Sequence, residues 1–257
     1  MPAQSLEGII LRKYYLRETS FILVIFTKEF GKIKGVIKGV RDPYPQFAGN
    51  FEPFTRCRFL FYKKKKQQMD LITHCETLDY FSSVKKDIER LTYANYFIEL
   101  VDIAAADNDE NIQLFNVLLD CLKLLGGTSS PRRISRIFEL KFLRAIGLDP
   151  ELDSCVSCGS AIDKGCKFSF KEGGALCPKC LGEDKKPYMD VSLGTVNFLR
   201  RIQKSELNRT EHVKVSREVG KEIEKLLRDF LEYHIARSVK SLKFLDRLER
   251  DGILKVG

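Results

Sequence analysis

Four cysteines carry the clearest chemistry in this chain of 257 residues. Cys155-Val156-Ser157-Cys158 and Cys177-Pro178-Lys179-Cys180 are two C-x2-C turns, eighteen residues apart. Each turn aims two sulfurs at one point, and two turns complete the closed tetrahedron that structural Zn²⁺ prefers. Gly159 and the Gly173-Gly174 pair suit the tight turns of such a loop. Four thiolates leave no open coordination position, so a bound metal is expected to be structural and not a Lewis acid. Two disulfides or four free thiols are the alternatives; zinc is the reading adopted.

The second chemistry is cationic. The formal net charge is +9 and the sequence pI about 9.1, which points to acidic partners, nucleic acid before an anionic membrane surface. The excess sits at the two ends. Residues 1–80 hold 14 Lys/Arg against 8 Asp/Glu, and residues 191–257 hold 15 against 10, with the middle near neutral. Within the first eighty residues the cations form three groups: Arg12, Lys13 and Arg17; Lys32, Lys34, Lys38 and Arg41; and the run Lys63, Lys64, Lys65, Lys66. Cations neutralise phosphates and release counterions. Tyr14, Tyr15, Tyr44 and Phe47 offer faces on which unpaired bases could stack. A solvated lysine run over buried aromatics is the alternative.

Other residues offer less. His74-Cys75-Glu76 matches half of a zinc-deaminase motif, but the P-C-x-x-C half is lacking: Leu176 precedes Cys177 and Ser154 precedes Cys155. No phosphate loop, G-x-S-x-G or paired-carboxylate signature occurs, so a non-enzyme is expected. Cys57, Cys75 and Cys121 read as buried free thiols, and Cys166 as a loop or core residue. Met1 to Ile10 lacks the pattern of a signal peptide, and the longest apolar run, Phe21 to Phe26, falls far short of the ~18 residues that suggest a membrane span. The expectation is a cytoplasmic, nucleoid-associated protein without membrane contact, where metal or free thiols are favoured over disulfides.

The elements that must hold these residues read as β first and α afterwards. Five short strands are expected over Leu6–Leu11, Phe21–Thr27, Lys32–Lys38, Thr55–Tyr62 and Gln68–Thr77, with Lys13 to Thr19 as the first loop and Lys63–Lys66 as the last. Five strands with one long connection suit an OB-fold, whose strand 2–3 face and loops L12 and L45 bind nucleic acid; an SH3-like barrel or a plain sheet also fits. Helices are expected over about 84–106, 110–125 and 131–146, then 193–203, 217–235 and 239–249, several with Ser caps. The fold class is therefore α+β multidomain: a five-stranded OB-fold barrel over 1–80, and a C-terminal helical domain over 81–257 with a four-cysteine zinc finger inserted at 152–187. The helices flanking the insertion are expected to pack together.

The order of motifs resembles a known family. Leu6-Glu7-Gly8-Ile9-Ile10-Leu11, Glu18-Thr19-Ser20, Phe26-Thr27-Lys28-Glu29-Phe30-Gly31-Lys32, Lys38-Gly39-Val40-Arg41, Phe51-Glu52-Pro53-Phe54, the helix bearing Phe138-Glu139-Leu140-Lys141-Phe142-Leu143 and the four-cysteine loop together resemble the bacterial recombination mediator family RecO. The resemblance implies an N-terminal OB-fold and a helical domain with a zinc finger. It also implies binding of single- and double-stranded DNA, annealing of complementary strands and help in loading the RecA recombinase. Partners implied are RecR and the acidic tail of the single-stranded-DNA-binding protein. The other reading carried is a zinc-containing interaction module acting on RNA or an acidic protein.

Overall fold

The computed structural model describes residues 4–16, 19–38, 51–62, 69–181, 188–207, 215–235 and 238–254. Strands β1 (Gln4–Leu16), β2 (Ser20–Thr27), β3 (Gly31–Ile37), β4 (Arg56–Tyr62) and β5 (Asp70–Asp79) close into a barrel in the order β1-β2-β3-β5-β4. Every neighbouring pair is antiparallel except β3 with β5, which run parallel. This order and the single parallel pair are OB-like. The alternation read from the sequence holds in β3, where Ile33 and Ile37 are buried and Lys32 and Lys34 point outward. The barrel core includes Leu23, Ile25, Phe59 and Phe61, with Cys57 and Cys75 buried among them as free thiols.

Two expectations change. The stretch Lys13–Thr19 is not a loop throughout: β1 continues to Leu16, and Lys13, Tyr14 and Tyr15 pair with Leu23, Ile22 and Phe21. A register shift between Ile10 and Arg12 lets the strand bend from β4 towards β2 and so serve both neighbours. The first expected helix is two. A short α1 (Ser82–Lys85) ends before Asp87, whose carboxylate accepts from the Arg90 N–H and caps α2 (Ile88–Ala104). Helix α3 (Ile112–Gly127) follows.

By contact the chain separates into two compact units, one of residues 1–127 with 239–247 and one of 128–238 with 248–257. Helices α1 to α3, which the sequence reading set beyond a boundary at residue 80, group with the barrel. The reason lies in β2. Its inward residues Leu23 and Ile25 are fully buried, and Val24 (4% exposed) and Phe26 (0%) on its outer side are buried as well. A strand apolar on both faces needs cover on both, and the Phe26 ring meets Phe115 of α3 at 6.1 Å. In the same unit, Glu99 of α2 accepts from the backbone N–H groups of Lys240 and Ser241 at 2.9 and 2.8 Å. It thereby caps α7 (Lys240–Arg250) with a side chain remote in sequence.

The other unit holds α4 (Pro131–Ala145), the cysteine loop, α5 (Leu193–Lys204) and α6 (Arg217–His234). Ser192 and Ser216 cap α5 and α6 as expected, accepting from the N–H groups of Thr195 and Val219. The helices on either side of the cysteine loop do pack together. Lys141 of α4 donates to the Gln203 and Ser205 carbonyls at the end of α5. Arg136 and Arg132 of α4 both reach Glu224 of α6 at 2.6 Å. Strands β6 (Cys166–Ser169), β7 (Gly174–Leu176) and β8 (Tyr188–Val191) form a small sheet in the order β7-β6-β8 that periodicity did not reveal.

Candidate metal centre and nucleic-acid surface

The four sulfurs come together as their spacing predicts. The Sγ atoms of Cys155, Cys158, Cys177 and Cys180 all lie within 4.8 Å of one another, and Cys158 Sγ is 3.7 Å from Cys177 Sγ. A tetrahedron with metal–sulfur bonds of about 2.3 Å has edges close to the latter figure. Each knuckle is a hydrogen-bonded turn. Gly159 N–H donates to Cys155 O at 2.8 Å, with Gly159 at φ 74°, and Cys180 N–H donates to Cys177 O at 3.0 Å. Cys177 N–H points at Cys155 Sγ, 3.4 Å away.

The donors around the first knuckle favour thiolates at Cys155 and Cys158. Hydrogen bonding from Ser160, whose Oγ lies 2.7 Å from the sulfur, lowers the Cys158 thiol to about 6. Burial opposes ionisation of Cys155, but the backbone N–H groups of Cys177, Cys158 and Ser157 outweigh it and lower that thiol too. Cys180 is pushed up to about 12, first by its hydrogen bond to Cys158. Four sulfurs gathered this closely could hold a metal ion, and binding it would release the protons that the thiols carry. The fifth nearby cysteine, Cys166, is buried in β6 and its thiol is raised to about 11 by that burial; it lies outside the cluster.

Arg200 of α5 holds the first knuckle in place, a role that sequence reading missed. Its guanidinium donates to the carbonyls of Leu152 at 2.6 Å and Ile162 at 2.8 Å, and pairs with the Asp153 carboxylate at 3.0 Å. Rigid support behind the ligands keeps a metal site in geometry. No signal in the sequence distinguishes Arg200 from its neighbour Arg201, because the carbonyls it clamps lie some forty residues away.

The cations of the barrel fall into three groups by placement. Arg17, Arg41, Lys63, Lys64, Lys65 and Lys66 lie outside the described residues. Lys13 is half-buried with Nζ 5.2 Å above the Phe21 ring, and Lys38 is exposed just past β3. Arg12, Lys32 and Lys34 sit on the outer face of the sheet, but each faces an acidic side chain of the helical layer in the same unit. Lys32 Nζ donates to the Asp102 carbonyl at 2.7 Å and lies 3.5 and 3.6 Å from the Asp102 and Asp107 carboxylates, with its side chain only 12% exposed. Arg12 pairs with Asp102, and Lys34 with Asp107 at 2.9 Å. The hydrogen bond from Lys34 draws the Asp107 carboxyl below its ordinary range despite some burial. Lys32, expected on an open binding face, is therefore a packing residue.

The outer face of β1-β2-β3 grades in three rows fixed by cross-strand register. Ile9, Phe26 and Lys32 form the row under the helices. Arg12, Val24 and Lys34 form the next, edged by the two aspartates. Tyr14, Ile22 and Val36 form the third, and register continues it through Leu71 to Tyr62 on β5 and β4. None of these five side chains is buried, and Tyr14 and Tyr62 are 47% and 38% exposed. This open apolar and aromatic row was not predicted as a row. Only Tyr14 was singled out, because register across five strands is not visible in a linear sequence. His74 is exposed on β5 and has no part in the cysteine cluster.

The comparisons with known proteins cover both units. The family described as Recombination protein O N terminal matches residues 1–81, and that described as Recombination protein O C terminal matches residues 85–243. A protein named DNA repair protein RecO from Pelotomaculum thermopropionicum is 34% identical over 241 residues, covering 94% of this chain and 93% of its own. The protein of the same name from Desulforamulus reducens is 32% identical over 254 residues, covering 98% of each. With a barrel of OB-like order, a helical part and a four-cysteine cluster in the places that the motifs anticipated, the chain belongs to the RecO family.

Proposed function

We propose that the protein works in recombinational DNA repair as a DNA-binding mediator and not as an enzyme. It binds single- and double-stranded DNA, anneals complementary strands and assists loading of the RecA recombinase, with RecR and the acidic tail of the single-stranded-DNA-binding protein as partners. The observation that carries this reading is the open row Tyr14–Ile22–Val36–Leu71–Tyr62 on the outer face of the barrel. Row and barrel order match the face on which OB-folds receive unpaired bases. Stacking of a base on an aromatic side chain contributes about 1–3 kcal/mol and tolerates any sequence, as annealing requires. Lys38 follows Val36 by two residues on the same strand line, Lys13 lies beside Tyr14 in sequence, and Arg17, Arg41 and Lys63–Lys66 follow β1, β3 and β4 closely. These cations are the proposed phosphate contacts.

The metal in this reading is zinc, held by Cys155, Cys158, Cys177 and Cys180, and its role is to fold the loop between α4 and α5. Functionally we divide the chain into a nucleic-acid part over 1–80 and a helical part over 81–257 carrying the metal insertion at 152–187. Titration of single-stranded DNA, duplex DNA and RNA into the full chain in parallel tests the proposal. Salt-sensitive binding of DNA that weakens on Tyr14→Ala together with Tyr62→Ala supports it. Preference for RNA, or binding untouched by the two substitutions, overturns it.

A further inference from the structure

The first two rows of the barrel face raise a question that DNA binding alone leaves open. Arg12, Lys32 and Lys34 are cations of the sheet's outer face, yet carboxylates meet all three. The acidic corner that meets them is built into the fold. Asn108 N–H donates to the Lys32 carbonyl at 2.8 Å, and a bridge pairs Lys32 with Asp107, so the segment lies against β3 like a short extra strand. Gly31 is what allows the approach. A Cβ on Gly31 would stand 1.8 Å from the Asp109 carbonyl oxygen, and its φ is +63°. Asn108 turns the chain at φ 58°, a left-handed conformation in which Asn is several-fold enriched.

The ion-paired row Arg12–Val24–Lys34 is immediately next to the open row Tyr14–Ile22–Val36, two residues along each strand. That is a separation of about 6–7 Å. A polynucleotide with its bases on the open row would bring its backbone within reach of Lys34 and Arg12.

We propose that Asp107, supported by Asp102, is a specificity-determining residue of this surface: its carboxylate competes with nucleic-acid phosphate for Lys34 and so keeps bound strands held through their bases. Asp107 and Lys34 are each about half exposed, at 50% and 52%, so the pair can open without unfolding anything. Lys32, at 12%, remains with the fold in either state. A strand held mainly by stacking stays free to exchange partners along its phosphate backbone. A strand gripped by every cation on the face would be held more tightly and with a steeper dependence on salt. The inference rests on the DNA-binding reading given above.

The test is a double-mutant cycle in the full chain, read by titration of a labelled single-stranded oligonucleotide at several salt concentrations, with the melting temperature of each variant as control. Asp107→Asn is expected to bind about two- to fivefold more tightly at moderate salt, the range open to an exposed ion pair. Its slope of log affinity against log salt should steepen by about 0.7 for each further phosphate that the freed cations neutralise. Lys34→Gln should cost more in the Asp107→Asn background than in the wild type, and Asp107→Glu should retain the wild-type slope. Wild-type affinity and slope in a folded Asp107→Asn protein overturn the proposal. So does failure of both Asp107→Asn and Asp107→Ser to fold, which would assign the carboxylate to loop architecture. A wild-type protein that binds no oligonucleotide sinks the function reading itself, an outcome distinct from either.

Discussion

At the scale of single residues, the positions that matter most are those where one group has several partners to satisfy. Cys177 is a member of the four-sulfur cluster and a proposed metal ligand, and also the residue whose N–H supports Cys155 Sγ. Cys177→Ser is expected to lower bound zinc well below one equivalent and to loosen the loop between α4 and α5, while single-strand binding by the barrel persists. Metal analysis beside an oligonucleotide titration checks both halves, and a full equivalent of zinc in the variant would contradict the ligand assignment. Gly31 has no such chemistry, yet no other residue fits there. Gly31→Ala meets the Asp109 carbonyl and a left-handed backbone together. Strain of that kind costs on the order of 1–3 kcal/mol, and the clash adds to it. Denaturant unfolding should show a loss of at least that size. A mild effect would mean that the Asp107–Glu110 segment moves away at little cost.

At the scale of elements, α4 and α6 are joined by charge as well as by apolar packing. Glu224 lies 8% exposed among Arg132, Arg136 and Arg228, with Glu139 fully buried against Arg136 at 2.8 Å. Burial would raise the Glu224 carboxyl, but Arg136, then Arg228 and Arg132, outweigh it and hold it below its ordinary value. A carboxyl depressed in the folded state contributes stability above its unfolded value of about 4.3 and loses it as pH falls through the lower folded value. The unit of α4 to α6 should therefore weaken on acidification below about pH 4.5, and Glu224→Gln should flatten that part of the profile. The substitution should also cost stability at neutral pH, but less than the ~3–5 kcal/mol of a fully orphaned buried charge, because Arg136 keeps Glu139 and Arg132 keeps Glu249. Denaturant midpoints measured from pH 3 to 7 on both proteins decide this; parallel profiles would show that Glu224 is not the titrating group.

At the scale of the whole molecule, net charge and its placement are different quantities. The excess of six cations in residues 1–80 reads as a single basic field, but among the described residues three of those cations are paired to carboxylates of α2 and the segment after it. The effective phosphate contacts are thus expected to come from Lys13, Lys38 and the cations outside the described residues. Replacing Lys63–Lys66 by Gln should flatten the salt slope by about 0.7 for each phosphate no longer neutralised, whereas Lys32→Gln should act on stability and leave the slope alone. Equal slopes for the lysine-run variant and the wild type would make the run a solvated surface. Residues 82–127 belong with the barrel by contact, so a chain cut after residue 80 would strip the cover from Phe26, and tests of DNA binding are better made on intact protein.

How much was legible follows from the range of each signal. The cysteine cluster was readable because a C-x2-C turn places two sulfurs through local geometry alone, and only the meeting of two turns was left to folding. Strand positions in β2 to β5 and the Ser caps of α5 and α6 were readable for the same reason: alternation and capping act over two to four residues. The sequence alone also determined the family and the balance of charge. Only the tertiary structure decided which cations face solvent, that β1 bends past Ile10 to continue through Tyr15, that Arg200 clamps a loop far behind it in the chain, and that five strands align Tyr14 with Tyr62. Each of these depends on register or on a partner many residues distant. A lysine reads the same in sequence whether phosphate, water or the carboxylate of Asp102 will meet it.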